Sequence, residues 1–180
     1  QIEIEYAITD HWDFGVYQVF EQMAHKDFNY KGSKLRSRYR FGEQGDWFVD
    51  PSIYGEVIYY GDVVKIEEIL ILSKAINSLE MSLNLKVEQE FELDHDEMVH
   101  EIVPSFGVGY HVNEWFAFSA EYFGKQKFKH GETEDMGHFA GPSISLQGHH
   151  FWWTLSYVHQ LSGLDSFADF QVRSIFAVHL

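Results

Sequence analysis

The sequence predicts an all-β fold, an antiparallel transmembrane β-barrel that takes up residues 1–180 as one domain. Apolar and polar residues alternate along most of the chain. In 79–88, Leu, Met, Leu, Leu and Val lie on one side of an extended strand, opposite Glu, Ser, Asn, Lys and Glu. The alternating segments mostly span about ten or more residues, which suits a tilted membrane-crossing strand better than a soluble one. Tight turns and long polar loops also alternate, as in outer-membrane barrels.

The composition favours β-structure and limits the partners of the chain. Aromatic residues make up 17% of the 180 residues and there are only three prolines, a balance typical of strands. Cysteine is absent, so neither a disulfide framework nor a thiolate metal site is available. No apolar run reaches the ~18 residues of a transmembrane helix. With 13 Lys and Arg against 28 Asp and Glu, the net charge of -15 argues against a nucleic-acid partner.

The elements are a series of strands, because turn signals interrupt the alternation and no capping box precedes a sustained helical period. Eleven strands are predicted, at residues 2–8, 12–24, 33–42, 52–61, 63–75, 78–91, 98–112, 115–126, 137–147, 150–161 and 170–180. The connections ITDHW, KAINSLE, HVNEW and LQGHHF are tight, whereas QMAHKDFNYKGS, FELDHDEM, GKQKFKHGETEDMGH and LSGLDSFADF are long and polar. We expect short turns at the periplasmic rim and long loops at the outer rim. EQGDWFVDP and YGDVV fit this division less well.

The last strand indicates the topology and the location. FQVRSIFAVHL places Val172, Phe176, Val178 and Leu180 on one face, with Ser174 as the exception. This alternation is typical of the final strand of bacterial outer-membrane proteins, although a terminal Phe is usual there. The predicted location is therefore the bacterial outer membrane. A chain of eleven strands that ends in the periplasm starts at the outer surface, whereas single-chain barrels have an even strand number. We therefore expect one further strand before residue 1 and a barrel of twelve. A barrel of ten, with one strand split or overcounted, is the alternative.

In a membrane barrel the apolar side of each strand faces lipid and the polar side lines the lumen. Strand 33–42 carries four cations on one side, which a dry core could not hold without a severe desolvation penalty. On a soluble lipocalin-like barrel, the alternative fold, the same cations would face water. The residues predicted to line the lumen are Glu3, Glu5, Lys34, Arg36, Arg38, Arg40, Glu56, Glu80, Lys86, Glu88, Glu101, Glu121 and Arg173. Glu68 falls on the lipid side, which is tolerable only near a rim or where a bulge resets the register.

Three stretches resemble a known group of proteins. YAITDHWDFGVY, residues 6–17, is similar to the tyrosine/glycine-leucine-threonine-aspartate hairpin of many proteobacterial outer-membrane barrels. SRYRFGEQGDWFVDPSIYGEV and GPSISLQGHHFWWTL add to the likeness. These barrels include the family associated with meta-pathway phenol degradation and uncharacterised relatives, in which Gly often stands at the position of Ala7. The resemblance implies a Gram-negative outer-membrane barrel for the uptake or passage of small molecules, with no catalytic residues to carry over.

The first function predicted from these features is a narrow, charge-lined channel for small solutes. The alternative is a closed, salt-bridged barrel that acts as a structural or interaction subunit of an envelope assembly. An outer-membrane enzyme acting on lipid is disfavoured, because Ser156 and His159 face opposite ways on one strand and no phosphate-cradling Gly-rich loop is present. We therefore predict a protein that is not an enzyme, with no catalytic residues and no cofactor.

Two loops combine acidic residues with histidines, and both are interpreted as solvated loops. Their spacing matches neither a zinc motif nor an EF-hand loop, so no metal site is predicted. The expected surroundings are outer-membrane lipid and lipopolysaccharide, with a small-molecule solute and envelope proteins as candidate partners. The residues concerned are His130, Glu132, Glu134, Asp135 and His138 in one loop, and Asp94, His95, Asp96 and Glu97 in the other.

Overall fold

The computed structural model of the protein describes residues 1–22, 27–94, 97–129, 132–133 and 136–178. These residues contain no helix and form one antiparallel sheet of twelve strands. The strands are β1 (Ile2–Ala7), β2 (Trp12–Glu21), β3 (Asn29–Arg40), β4 (Asp50–Tyr60), β5 (Val63–Ile76), β6 (Leu79–Glu92), β7 (Glu97–Asn113), β8 (Phe116–Lys129), β9 (Glu132–Thr133), β10 (Gly137–Gln147), β11 (Phe151–Gln160) and β12 (Phe170–Val178). Each strand pairs with the next along the chain, except that β9 pairs only with β8, which pairs in turn with β10.

All eleven predicted strands are present, so the all-β, antiparallel prediction is confirmed. The alternative in which one strand had been split or overcounted is wrong. Among the described residues the boundaries differ by a few positions, most at β3, which begins at Asn29. The predicted ends at 23–24 and 179–180, which include Leu180, lie outside the described residues. The sequence does not predict β9, because two residues are too few for an alternating pattern to be recognised.

Short connections gather at one edge of the sheet, called here the short-turn rim. This rim carries the connections that follow β1, β3, β5, β7 and β10. Residues 77–78 and 114–115 each form a two-residue turn there. Asn77 adopts φ 54, a left-handed conformation that Asn tolerates better than most residues. The side chain of Asn113 closes the next turn by accepting hydrogen bonds from two backbone N–H groups, those of Trp115 and Phe116.

The other connections form the long-loop rim. They include 161–169, between β11 and β12. The two connections that fit the division less well in the sequence also do so in the structure. Residues 41–49 form a nine-residue connection at the short-turn rim, and 61–62 form a two-residue turn at the long-loop rim.

The register assigns every side chain of the sheet to one of two faces. Residues directly opposite each other in an antiparallel pair point to the same side. The successive partners Glu5, Gly15, Arg36, Glu56, Glu67, Glu88, Glu101 and Lys127 therefore form one row across β1 to β8. We call the face that carries this row the polar face, and the opposite one the apolar face.

Burial is the reverse of what a sheet packed on an apolar core has. On the polar face, Arg36 is 2% exposed and Glu56 is 4% exposed, whereas Ile4 and Phe176 on the apolar face are 74% and 63% exposed. The described residues include no second layer that could cover the polar face. The sheet itself must therefore curve over it. Side chains of β5 and β11, which lie five places apart in the sheet, indeed line a common pocket.

The described ladders leave β1 and β12 as the two ends of the sheet, with no pairing between them. No helix in the described part of the chain is long and apolar enough to cross a membrane. A small apolar cluster on the polar face packs near the long-loop rim, and its members are Phe123, Phe139 and Val158, with Val103 and Phe167 against them.

Candidate functional site

Arg36 on β3 is buried among carboxylates from β1 and β2. Its Nε donates to Glu3 Oε1 at 3.1 Å, and its terminal nitrogens pair with Glu5 and Asp13. Nε also lies 3.1 Å from the hydroxyl of Tyr17. The planar guanidinium offers five N–H donors, so one side chain can bind several oxygens at once. Arg36 thereby ties β3 to β1 across the intervening β2.

Gly15 makes this arrangement possible. It is the direct partner of Arg36 on β2, and a Cβ atom built on it would lie 2.9 Å from both Cγ and Nε of Arg36. The arginine side chain therefore crosses β2 in the space that any other residue would fill. Glycine at this position is a packing requirement of the charge cluster.

The other cations of β3 also have partners. Lys34 lies 3.0 Å from Glu56, which in addition accepts a hydrogen bond of 2.5 Å from the hydroxyl of Tyr54. Arg38 Nε donates to Asp13 at 2.9 Å. Arg40 reaches Glu43 at 3.3 Å in the connection that follows β3. The predicted ladder of four cations is thus matched by carboxylates on both sides.

A second cluster joins β5 and β6. Lys86 lies between Glu67 at 2.9 Å and Glu88 at 3.0 Å. Lys65 pairs with Glu88 at 3.1 Å and also with Glu90. Each lysine is partly buried and pairs with two carboxylates. These ion pairs connect the two neighbouring strands.

Beyond β6, two ion pairs between described residues connect strands that are not joined by the clusters above. Glu101 on β7 pairs with Lys125 on β8 at 3.3 Å. Glu121 on β8 pairs with Arg173 on β12, across β10 and β11, and accepts a 3.1 Å hydrogen bond from Ser143. These contacts link the two ends of the second half of the sheet.

All the residues predicted to line the lumen lie on the polar face, but they belong to separate groups. One group surrounds Arg36 and a second surrounds Lys86. Two separate pairs follow, that of Glu101 with Lys125 and that of Glu121 with Arg173. Glu80 stands apart near the short-turn rim, 3.2 Å from His111. The register brings these residues onto one side without bringing them into one cluster.

Several members of the clusters were not among the predicted residues. They alternate on the polar sides of their strands, which was the available signal, but only the strand register reveals which cation each one meets. These residues are Asp13, Tyr17, Tyr54, Lys65, Glu67, Glu90 and Lys125.

A pocket of about 470 Å³ opens on the polar face towards the short-turn rim. Small hydroxyl side chains line much of it, including Ser82, Ser119, Ser143 and Ser156. Ser143 and Ser156 are buried and hydrogen-bonded to each other at 2.8 Å. Because these side chains are short, they leave space above the sheet, and their hydroxyls make that space polar.

The connection 161–169 folds over the polar face at the long-loop rim. The carboxamide of buried Gln160 donates to the carbonyls of Leu164 and Phe167 and accepts from the Leu164 N–H. The ring of Phe167 packs edge-on against Phe139, at 5.8 Å between ring centroids. We call this segment the 161–169 cap, because it covers the apolar cluster from above.

The two loops with acidic residues and histidines are described only in part. No group of three potential metal ligands occurs among the described residues; His95, Asp96, His130, Glu134 and Asp135 lie outside them. Ser156 is on the polar face and His159 is on the apolar face, so the two side chains do not meet.

Comparison with known proteins gives a family but no activity. No curated protein matches the chain. A family model matches residues 53–175, which extend from β4 into β12. The chain therefore belongs to the DUF6662 family, a family of unknown function.

Proposed function

We propose that this chain forms a β-barrel of the bacterial outer membrane and conducts small solutes through a narrow, charge-lined lumen. One observation carries the proposal: the sheet buries several ionised side chains, among them Arg36, Glu56 and Glu101, and exposes many of its large apolar ones. In water, a fold is stabilised by burying apolar side chains and exposing ionised ones. In a bilayer that surrounds a hydrated lumen, apolar side chains face the lipid and ionised ones face inward.

The soluble lipocalin-like alternative accounts poorly for this distribution. It would place the apolar side chains inside and the cations of β3 in water. Instead, Leu35, Ile53 and Leu70 on the apolar face are each about half exposed, in neighbouring strands and in contact with no second layer among the described residues. A continuous apolar surface of this extent is typical of a site that meets a membrane or another protein.

An open lumen is favoured by the direction of the ion pairs. The described pairs connect strands that are neighbours or lie at most three places apart in the sheet, so they run along the wall. An eight-stranded barrel is just wide enough for its side chains to fill it, and a barrel with eleven long strands is wider. Pairs that lie along the wall of such a barrel leave an axial space, and the serine-lined pocket is its mouth at the short-turn rim.

The proposal is tested by folding the protein into lipid and measuring single-channel currents in a planar bilayer. A gel-shift assay reports whether the barrel has folded, because folded barrels migrate differently before and after heating. We expect steady conductance from the folded form. A chain that remains outside vesicles would overturn the membrane barrel itself.

Fixed charges on the wall should also set the ion preference. The double change Arg38→Glu plus Arg40→Glu alters two half-exposed cations and leaves buried Arg36 in place. We expect the reversal potential in a salt gradient to shift towards cation selectivity. Arg38→Lys plus Arg40→Lys keeps both charges and serves as the control. Identical reversal potentials in the two variants would mean that the permeating ions do not pass these residues.

A closed barrel with a structural role in the envelope is the second candidate. The 161–169 cap favours it, because Phe167 and the side chain of Gln160 cover the polar face at the long-loop rim. A protein that folds and inserts but conducts no current would support this candidate over the channel.

A further inference from the structure

Glu68 is a charged side chain on the apolar face, in the body of β5. Its direct partners are Gly55 on β4 and Val87 on β6. Neither condition that would make this position tolerable is met: both ladders run without a bulge, and Glu68 lies several residues inside each end of β5. The carboxylate therefore projects from the apolar face among mostly apolar side chains.

Two serines on this face are hydrogen-bonded, whereas Glu68 is not. Ser37 accepts a 2.7 Å hydrogen bond from the indole N–H of Trp12, and Ser174 accepts one of 2.9 Å from that of Trp153. Among the described residues, Glu68 has neither a hydrogen bond nor an ion pair. An unpaired carboxylate in an apolar environment is costly, so a cationic partner would bind there with a large electrostatic gain.

A groove of about 560 Å³ surrounds this carboxylate. Its floor is low because Gly55 has no side chain, and a Cβ built there would meet no atom within 4 Å. The walls are mostly apolar and come from four neighbouring strands; they include Tyr39, Ile53, Leu70, Leu85 and Val87. The groove thus combines an apolar trough with a single negative charge.

We propose that this groove binds a lipid-soluble amine, that is, an apolar body carrying one protonated nitrogen that pairs with Glu68. The volume is that of a small-molecule site, since ligand pockets measure about 300–1,000 Å³. The single carboxylate sets the charge of the ligand, and the trough sets its apolar shape. The proposal rests on the membrane barrel proposed above, because only there does the groove face hydrocarbon.

A second copy of the chain is a poorer occupant. Among the described strand residues, the other charged side chain on the apolar face is Lys74, near the short-turn rim. Its ammonium group lies 3.3 Å from the carbonyl oxygen of Trp47 and over the ring of Phe48. The described strands of a second copy would therefore bring no lysine or arginine without a partner of its own to the carboxylate.

The test uses the full chain folded into phosphatidylcholine vesicles with spin-labelled octadecylamine or spin-labelled octadecanol. Electron paramagnetic resonance measures the fraction of each probe that the protein immobilises. We expect the wild type to prefer the amine by about tenfold, the scale of one hydrogen bond to a charged group. Glu68→Gln should remove that preference. Gly55→Leu, which fills the trough and keeps the carboxylate, should lower binding of the amine.

Glu114→Gln is the matched control, since it removes an exposed carboxylate from a turn outside the groove. It should leave the preference unchanged. An inserted, folded protein whose Glu68→Gln variant still prefers the amine would overturn this proposal alone. So would cross-linking that places Glu68 of the folded protein against a second copy. Failure to insert into the vesicles would instead overturn the barrel on which the proposal rests.

Discussion

At the scale of single residues, the polar face depends on close fits between charged groups and small neighbours. Arg36 is nearly inaccessible, yet its guanidinium meets three carboxylates and a tyrosine hydroxyl. A buried charge of this kind is tolerated only when its hydrogen-bonding capacity is satisfied. The residue that permits it, Gly15, contributes no side chain at all.

The first prediction concerns Gly15→Ala. The added methyl group would meet Arg36 Cγ and Nε at 2.9 Å and force the guanidinium away from Glu3 and Glu5. We expect a loss of stability of about 1–3 kcal/mol, as for other overpacked sites. Urea unfolding in lipid vesicles, followed by tryptophan fluorescence, measures it. Gly55→Ala is the control, because a Cβ there has open space, and equal stability of the two variants would contradict the prediction.

The second prediction concerns Arg36→Gln. Removing the cation leaves Glu3, Glu5 and Asp13 facing one another, and breaking a buried ion pair typically costs about 3–5 kcal/mol. Adding Glu3→Gln and Glu5→Gln to this variant should restore part of the lost stability, because it removes the repulsion. A triple variant that is less stable than Arg36→Gln alone would show that repulsion is not the cause.

At the scale of elements, the short turns determine how neighbouring strands are aligned. Residues 77–78 connect β5 to β6 with Asn77 in a left-handed conformation. The fourteen ladder pairs that follow depend on this turn, because a shift by one residue would exchange the polar and apolar faces of β6.

The third prediction therefore concerns Asn77. Asn77→Gly should fold at least as well as the wild type, because glycine adopts positive φ without strain. Asn77→Val should lower stability by about 1–2 kcal/mol, since a β-branched residue is strained in this conformation. The folded fraction after dilution from urea into detergent, read from the gel shift, compares the two. Equal yields would mean that this turn does not limit folding.

Two strands also contain a proline well inside their ends. Pro104 lies in β7 where the ladder to β8 skips two successive pairs, and Pro142 lies in β10 where the ladder to β11 does the same. Each proline keeps its pairing with the strand on its other side. The missing N–H therefore falls where no ladder bond is made, which explains why both strands continue.

At the scale of the whole molecule, the two rims of the polar face differ. The pocket lined by serines lies towards the short-turn rim, whereas the 161–169 cap packs on Phe139 and Gln160 at the long-loop rim. In the proposed channel, the cap would narrow the lumen at this rim.

The fourth prediction tests the cap. Gln160→Ala removes the carboxamide that holds the connection, and Phe167→Ala removes the ring packed on Phe139. We expect each change to raise the single-channel conductance and the double change to raise it most. Leu161→Ala, at an exposed position of the same connection, is the control. Conductance that is unchanged in all three variants would place the restriction elsewhere.

The sequence was sufficient to predict every long strand and the side to which each of its residues points. In β6 apolar and polar residues alternate strictly, and in β3 four cations stand at every second position. Both patterns predict which side chains share a face of the sheet. The same pattern could not predict that Arg36 crosses β2, or that Gly15 is needed for it, because both depend on contacts between strands. Nor could it predict the role of Gln160, whose partners lie in a connection without periodicity.

By itself, then, the amino-acid sequence determined the strands, their turns and the division into a polar and an apolar face, because these follow from local alternation and turn chemistry. Only the tertiary structure decided which charges pair, that the polar face is the buried one, and that Glu68 stands unpaired in an apolar groove. The physical reason is that pairing and burial depend on register and curvature, which bring together residues that lie far apart in the chain.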